Sequence, residues 1–163
     1  MGADEAVRMH LERLLSWGDA HMTLDQAVAE FPTEYMNAFP PNVPNTPWHL
    51  LEHIRRAQLD ILEFIRDPSY VSPPWPEGYW PAREERADEA AWKRTIDLIH
   101  KDQRALKSLA TDPKTDLYSP IAHGDGQTIL RELLLVADHN AYHIGEFAIL
   151  RQVMGSWPRD RRE

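Results

Sequence analysis

Apolar residues recur at helical spacing in four stretches of this chain. The 13 prolines fall between them, at 32–47, 68–81, 113–120 and 158. Proline lacks the amide N–H and its ring clashes with the preceding turn, so stretches free of it, bounded by clusters of it, read as helices joined by stiff loops. The first stretch runs from about Asp4 to Glu34, with Val7, Leu11, Leu14 and Leu15 on one side. Gly18 and Thr23 interrupt it, and Thr23 with Gln26 has the spacing of a capping box that opens a second piece. The second runs from about Pro47 to Arg66. Thr46 suits its N-cap, Pro47 its first position, and Asp67-Pro68 its end. Leu50, Ile54, Ala57, Ile61 and Ile65 line one face of it. The third runs from about Asp88 to Ala110, striped by Trp92, Ile96, Ile99, Leu106 and Leu109, and Asp112-Pro113 follows. The fourth runs from about Thr128 to Met154, with Gly155 as its natural stop.

No stretch reads as a strand, since "SYVSPPW" is short and broken by prolines. Four amphipathic helices in 163 residues bury their stripes most simply as an all-α four-helix bundle. The length suits one domain over 1–163, with a structured core over about 5–157 and a solvated tail, "RDRRE" (Arg159, Arg161, Arg162), behind it. The 67–87 connection is the longest, long enough to run the length of the bundle as a crossover between the second and third helices. Its aromatics Tyr70, Trp75, Tyr79 and Trp80 either pack along the bundle or face a partner.

The fourth helix differs from the others. At about 100° per residue, Leu130, Leu133, Ala137, Ala141, Ile144 and Ala148 share one face. A second apolar stripe holds Leu135, Val136, Phe147 and Leu150, and His139 and His143 fall within it. A helix apolar nearly all round is a buried one, so both imidazoles are expected inside the protein or in a cleft. Gly145, mid-helix at a cost of up to about 1 kcal/mol relative to Ala, reads as a point where a neighbour comes close.

Residues four apart on a helix lie on one side of it, and two imidazoles there can converge on one metal ion. The pair in "DHNAYH" lacks the glutamate of the zincin helix. On spacing alone, two histidines hydrogen-bonded to carbonyls or carboxylates are the commoner reading, ahead of a metal site. His53, at the edge of the second helix's stripe, can supply a third ligand if the second and fourth helices are neighbours. His49, one turn before it, points further round toward the polar face and is the alternative. Three imidazoles leave a coordination position open, as catalytic sites do. Glu52, Asp60, Asp138, Asn140 and Glu146 are candidates to hold the second ring nitrogens, and Trp75, Trp80 and Tyr142 to line a pocket. Three imidazoles suit Zn, Ni, Cu or Fe.

Charge and composition narrow the function. A net charge of −8 disfavours nucleic acid and anionic membranes as partners. The chain has no cysteine. That excludes disulfides and a protein thiolate, and it is compatible with a reducing cytoplasm, the expected location. "MGADEAVRMH" is polar and acidic, unlike a secretory signal, and no apolar run approaches the roughly 20 residues of a membrane span. There is no P-loop, Rossmann glycine pattern or serine nucleophile elbow.

"TPWHLLEHIRRAQLDILEFIRDPSYVSPPWPEGYWP" followed by "GQTILRELLLVADHNAYHIGEFAILRQVMGSW" resembles the DinB/YfiT-like superfamily over about residues 5–157. The resemblance implies a bundle of up-down-down-up topology that carries one divalent ion, commonly zinc or nickel. It places the ligands at His53, His139 and His143, with His49 the runner-up on the second helix. It also implies homodimers and a small-molecule substrate. Characterised relatives transfer low-molecular-weight thiols such as bacillithiol or mycothiol, and others are described as metal-dependent hydrolases. Thiol transfer to an electrophile is therefore the leading expectation, with the reactive thiolate or water on the metal rather than on a protein side chain. Hydrolysis, or a non-enzymatic bundle that the metal stabilises, stands beside it.

Overall fold

The computed structural model describes residues 2–16 and 18–158. The tail arginines Arg159, Arg161 and Arg162 lie outside them. The helices are α1 (Ala3–Leu14), α2 (Leu24–Val28), α3 (Pro47–Arg66), α4 (Glu89–Thr111) and α5 (Ile129–Met154), with a 3-10 turn at Thr33–Tyr35. Among the described residues there is no strand, only an isolated bridge between Pro120 and Thr128.

The starts of α2, α3, α4 and α5 share a local cause. The first N–H groups of a helix lack intrahelical partners, and a side-chain oxygen just before them supplies one. Thr23 accepts from the Gln26 amide while Gln26 accepts from the Thr23 amide, a reciprocal box that opens α2. Thr46 accepts from the His49 amide, Asp88 from Ala91 and Thr128 from Arg131, opening α3, α4 and α5. Gly155, at φ 63° and ψ 29°, ends α5 in the left-handed conformation that glycine adopts without a Cβ penalty.

The long helices α1, α3, α4 and α5 make the bundle. α3 packs on both α4 and α5, and α1 packs on α4. Two apolar clusters fill it. Leu11, Leu15, Leu62, Leu106, Leu117, Leu133 and Val136 form one. Leu24, Leu50, Leu51, Ile54, Ile99, Phe147 and Leu150 belong to the other. Burying a side chain of this size stabilises by about 1.5–3 kcal/mol, so the two clusters hold the helices together. α2 and the residues after it are tied to the end of α5 by Arg151. Its guanidinium, fully buried, donates to the carbonyls of Ala27, Ala29 and Ser156 at 2.7–2.9 Å.

Two expectations about α5 need correction. α5 is not buried all round, because Leu134, Tyr142, Ile149 and Val153 lie exposed on its outer side. Gly145 admits no close neighbour, since a Cβ built there meets nothing within 4 Å. The cause is shared: the other helices cover only the inner side of α5.

The 67–87 connection packs along α3. Asn37 exchanges two hydrogen bonds with the backbone of Ala87, and His49 donates from Nε2 to the Glu85 carbonyl at 3.1 Å. His49 is therefore buried under the loop instead of turning toward the polar face. Tyr79 and Trp80 pack against the bundle, while Trp75 is 70% exposed. No helix among the described residues is long and apolar enough to cross a membrane.

Candidate metal centre

α3 and α5 are neighbours, and their contact brings His53, His139 and His143 together. His53 Nε2 stands 3.2 Å from His143 Nε2 and 3.1 Å from His139 Nε2. His53 and His143 are 2% and 8% exposed, and His139 is half-buried.

The outer nitrogens determine what the inner ones present. His53 Nδ1 lies 3.0 Å from the carbonyl oxygen of Tyr79, which can only accept, so the ring's proton sits on Nδ1. His143 Nδ1 lies 2.8 Å from a carboxylate oxygen of Glu146, with the same consequence. In the neutral rings, both inner Nε2 atoms are bare lone pairs, and lone pairs 3.2 Å apart repel. Protonating His53 or His139 is disfavoured as well. Burial, and after it the nearby His143 ring, lowers the pKa of His53, against the Tyr79 hydrogen bond, which raises it. Burial, then the His143 and His53 rings, holds that of His139 down at about 4. Neutral imidazoles with converging lone pairs fit a divalent cation. Two metal–nitrogen bonds of 2.0–2.1 Å at a tetrahedral angle separate their donors by about 3.3 Å, close to the spacing found.

Aromatic rings wall the cluster. Trp80 stacks on His53 with centroids 3.8 Å apart and planes within 5°. Tyr142, 71% exposed, sets its ring edge-on to His143 at 4.9 Å.

The remaining candidates take other places. His49 faces Glu85 and is not among the three. Glu52 is buried and accepts from Arg55, Arg56 and Thr95. Asp60 accepts from the Tyr79 hydroxyl at 2.7 Å, and Asn140 donates to Gln58 at 2.8 Å while its side chain also hydrogen-bonds the His139 ring. Asp138 is exposed. Only Glu146 among the named carboxylates holds a ring nitrogen. The partner of His53 is a backbone carbonyl that no side-chain pattern announces. Its one signal in the sequence is the aromatic pair Tyr79-Trp80 in an otherwise proline-rich loop.

Comparison with curated proteins and with solved structures finds no match. A family model described as the DinB superfamily matches residues 17–147. That span includes all three histidines and more than half of the chain, and the chain belongs to the DinB superfamily.

Proposed function

We propose that this chain is a metal-dependent enzyme that joins a low-molecular-weight thiol to an electrophilic small molecule, with one divalent ion, zinc or nickel, on His53, His139 and His143. The observation that carries the metal half is the convergence of three Nε2 atoms, two of them bare because their rings' protons are committed to Tyr79 and Glu146. The thiol half comes from the activities of relatives in the superfamily. The absence of cysteine bears on it, because the sulfur nucleophile then has to arrive with a substrate.

A divalent cation held there supplies Lewis acidity that favours a bound thiol as its thiolate. The protein's own groups do the rest. The Tyr79 carbonyl and the Glu146 carboxylate fix the tautomers of His53 and His143. Trp80 shields one face of His53 from water. The exposed ring of Tyr142, beside His143, offers an apolar face to the electrophile. In the reaction the thiol proton leaves to solvent, the sulfur electron pair forms the bond to carbon, and the leaving group departs with the electrons of the bond it breaks.

The same reading makes the protein a cytoplasmic homodimer. The lack of cysteine supports the location, and the apolar outer side of α5 (Leu134, Ile149, Val153) supports contact with a second copy. Incubating the metal-loaded protein with several low-molecular-weight thiols and monochlorobimane tests the activity. Fluorescent adduct should form in proportion to protein and vanish in His139→Ala. No adduct with any thiol, alongside turnover of an ester or phosphate ester, would replace transfer by hydrolysis.

A further inference from the structure

We infer that Asp60 and Tyr79 are positioning residues for the metal centre, forming a strut that sets the His53 ring from outside the ligand set. The inference rests on the reading of His53, His139 and His143 as metal ligands.

His53 is oriented by two consecutive residues of the 67–87 connection. The Tyr79 carbonyl takes its Nδ1 proton at 3.0 Å, which fixes the rotation of the ring. The Trp80 ring lies 3.8 Å away and nearly parallel, which fixes its plane. A connection is by default the mobile part of a fold, so residues that orient a ligand from one need anchoring. Both are anchored to α3 itself. The Tyr79 hydroxyl donates to Asp60 Oδ2 at 2.7 Å, and Arg56 donates to the Trp80 carbonyl at 2.8 Å. Asp60 lies two helical turns beyond His53 on nearly the same face of α3, about 10 Å along the axis. That separation leaves it acting on His53 only through Tyr79. The frame is closed: α3 carries the ligand, and it also carries the posts that hold the loop against the ligand.

Two features keep the frame stiff. A Cβ at Gly78 would overlap Pro73 Cβ and stand 3.0 Å from the Pro74 carbonyl, so the turn that delivers Tyr79 and Trp80 closes only on glycine against rigid prolines. Arg56 is itself held by Glu52 at 3.1 Å, and Glu52 also accepts from Arg55 and from Thr95. A neutral donor on a carboxylate is a charge-assisted bond, stronger than one between two neutral groups.

The test titrates Co(II) into wild type, Tyr79→Phe, Asp60→Ala, Asp60→Asn and Gly78→Ala. It reads the affinity by chelator competition and the visible d–d bands, beside the metal-free melting temperature. Partners of this kind tune metal affinity by about 10–100-fold. Losses in that range and altered bands are expected for Tyr79→Phe, Asp60→Ala and Gly78→Ala. Asp60→Asn, which still accepts from the hydroxyl, should bind like wild type. Tyr79→Phe removes only the hydroxyl that donates to Asp60 and carries the test if Asp60→Ala fails to fold. Wild-type affinity and spectrum in Tyr79→Phe would overturn the strut. So would an Asp60→Asn as weak as Asp60→Ala, since charge rather than the bond would then matter. A wild type that binds no Co(II) would instead overturn the metal reading on which the strut rests.

Discussion

His53 on α3 and His143 on α5 face each other with bare Nε2 atoms 3.2 Å apart, each ring's proton held on the far side by an acceptor. A shared cation placed between the two lone pairs turns that repulsion into ligation. Untagged protein should therefore carry about one divalent ion per chain. His53→Ala, His139→Ala and His143→Ala should lose it, while His49→Ala should keep it, because His49 is turned to the Glu85 carbonyl. Elemental analysis of the purified variants decides the matter, and equal metal content in all of them would remove the site.

Glu146 touches no ligand atom that faces the metal, yet it accepts the Nδ1 proton of His143. Glu146→Ala should weaken metal binding by about 10–100-fold while leaving the bundle folded. Chelator competition with circular dichroism on the same sample reads both. Unchanged affinity would mean that the carboxylate does not orient the ring.

Chelation should leave the helices in place. Both apolar clusters are complete without an ion, so the metal adds only its linkage term to stability, about 2.7 kcal/mol at a free concentration one hundred times Kd. Far-UV circular dichroism in excess chelator should match that of the loaded protein, with a lowered but still cooperative melt. Loss of helix at 25 °C would mark the metal as a folding requirement.

Burial, more than any other cause, lowers the pKa of His49 below its ordinary value of 6.5. Between 6.5 and that lower value, the unfolded chain binds a proton that the native state does not. Stability consequently falls as the pH falls through this window. His53 and His139 have the same sign, so the difference between wild type and His49→Gln isolates His49. Melting temperatures in chelator should drop less steeply between about pH 7 and pH 5 for the variant. Parallel curves would show that His49 does not contribute.

Arg151 is fully buried and its donors meet backbone carbonyls of two segments. Its guanidinium also lies 4.0 Å from the Trp157 ring centroid. Arg151→Met fills the space but orphans those carbonyls and should cost about 3 kcal/mol or more. Denaturant unfolding measures it, and a loss below about 1 kcal/mol would mean that water satisfies the carbonyls equally well.

The sequence by itself determined what is settled within a turn or two of backbone. Thr23, Thr46, Asp88 and Thr128 start helices because each oxygen reaches an amide three residues on. Gly155 stops α5 because it alone there adopts positive φ without strain. His139 and His143 share a side because a helix repeats nearly every four residues. The choice between His49 and His53 was of a different kind. Both are histidines on one helix, four residues apart, and both are buried. What separates them is where the long connection lands: the Tyr79 carbonyl and the Trp80 ring on His53, the Glu85 carbonyl on His49. The fully buried Arg151 was invisible for the same reason, since arginine is ordinarily a surface residue and its partners lie more than a hundred residues away at Ala27 and Ala29. The open outer side of α5, and the empty space above Gly145, likewise depend on which helices are neighbours and not on the pattern along one of them. Periodicity fixes which residues share a face. Which groups meet across faces, and so which nitrogen is left bare for a metal, is decided only when loop and helices pack.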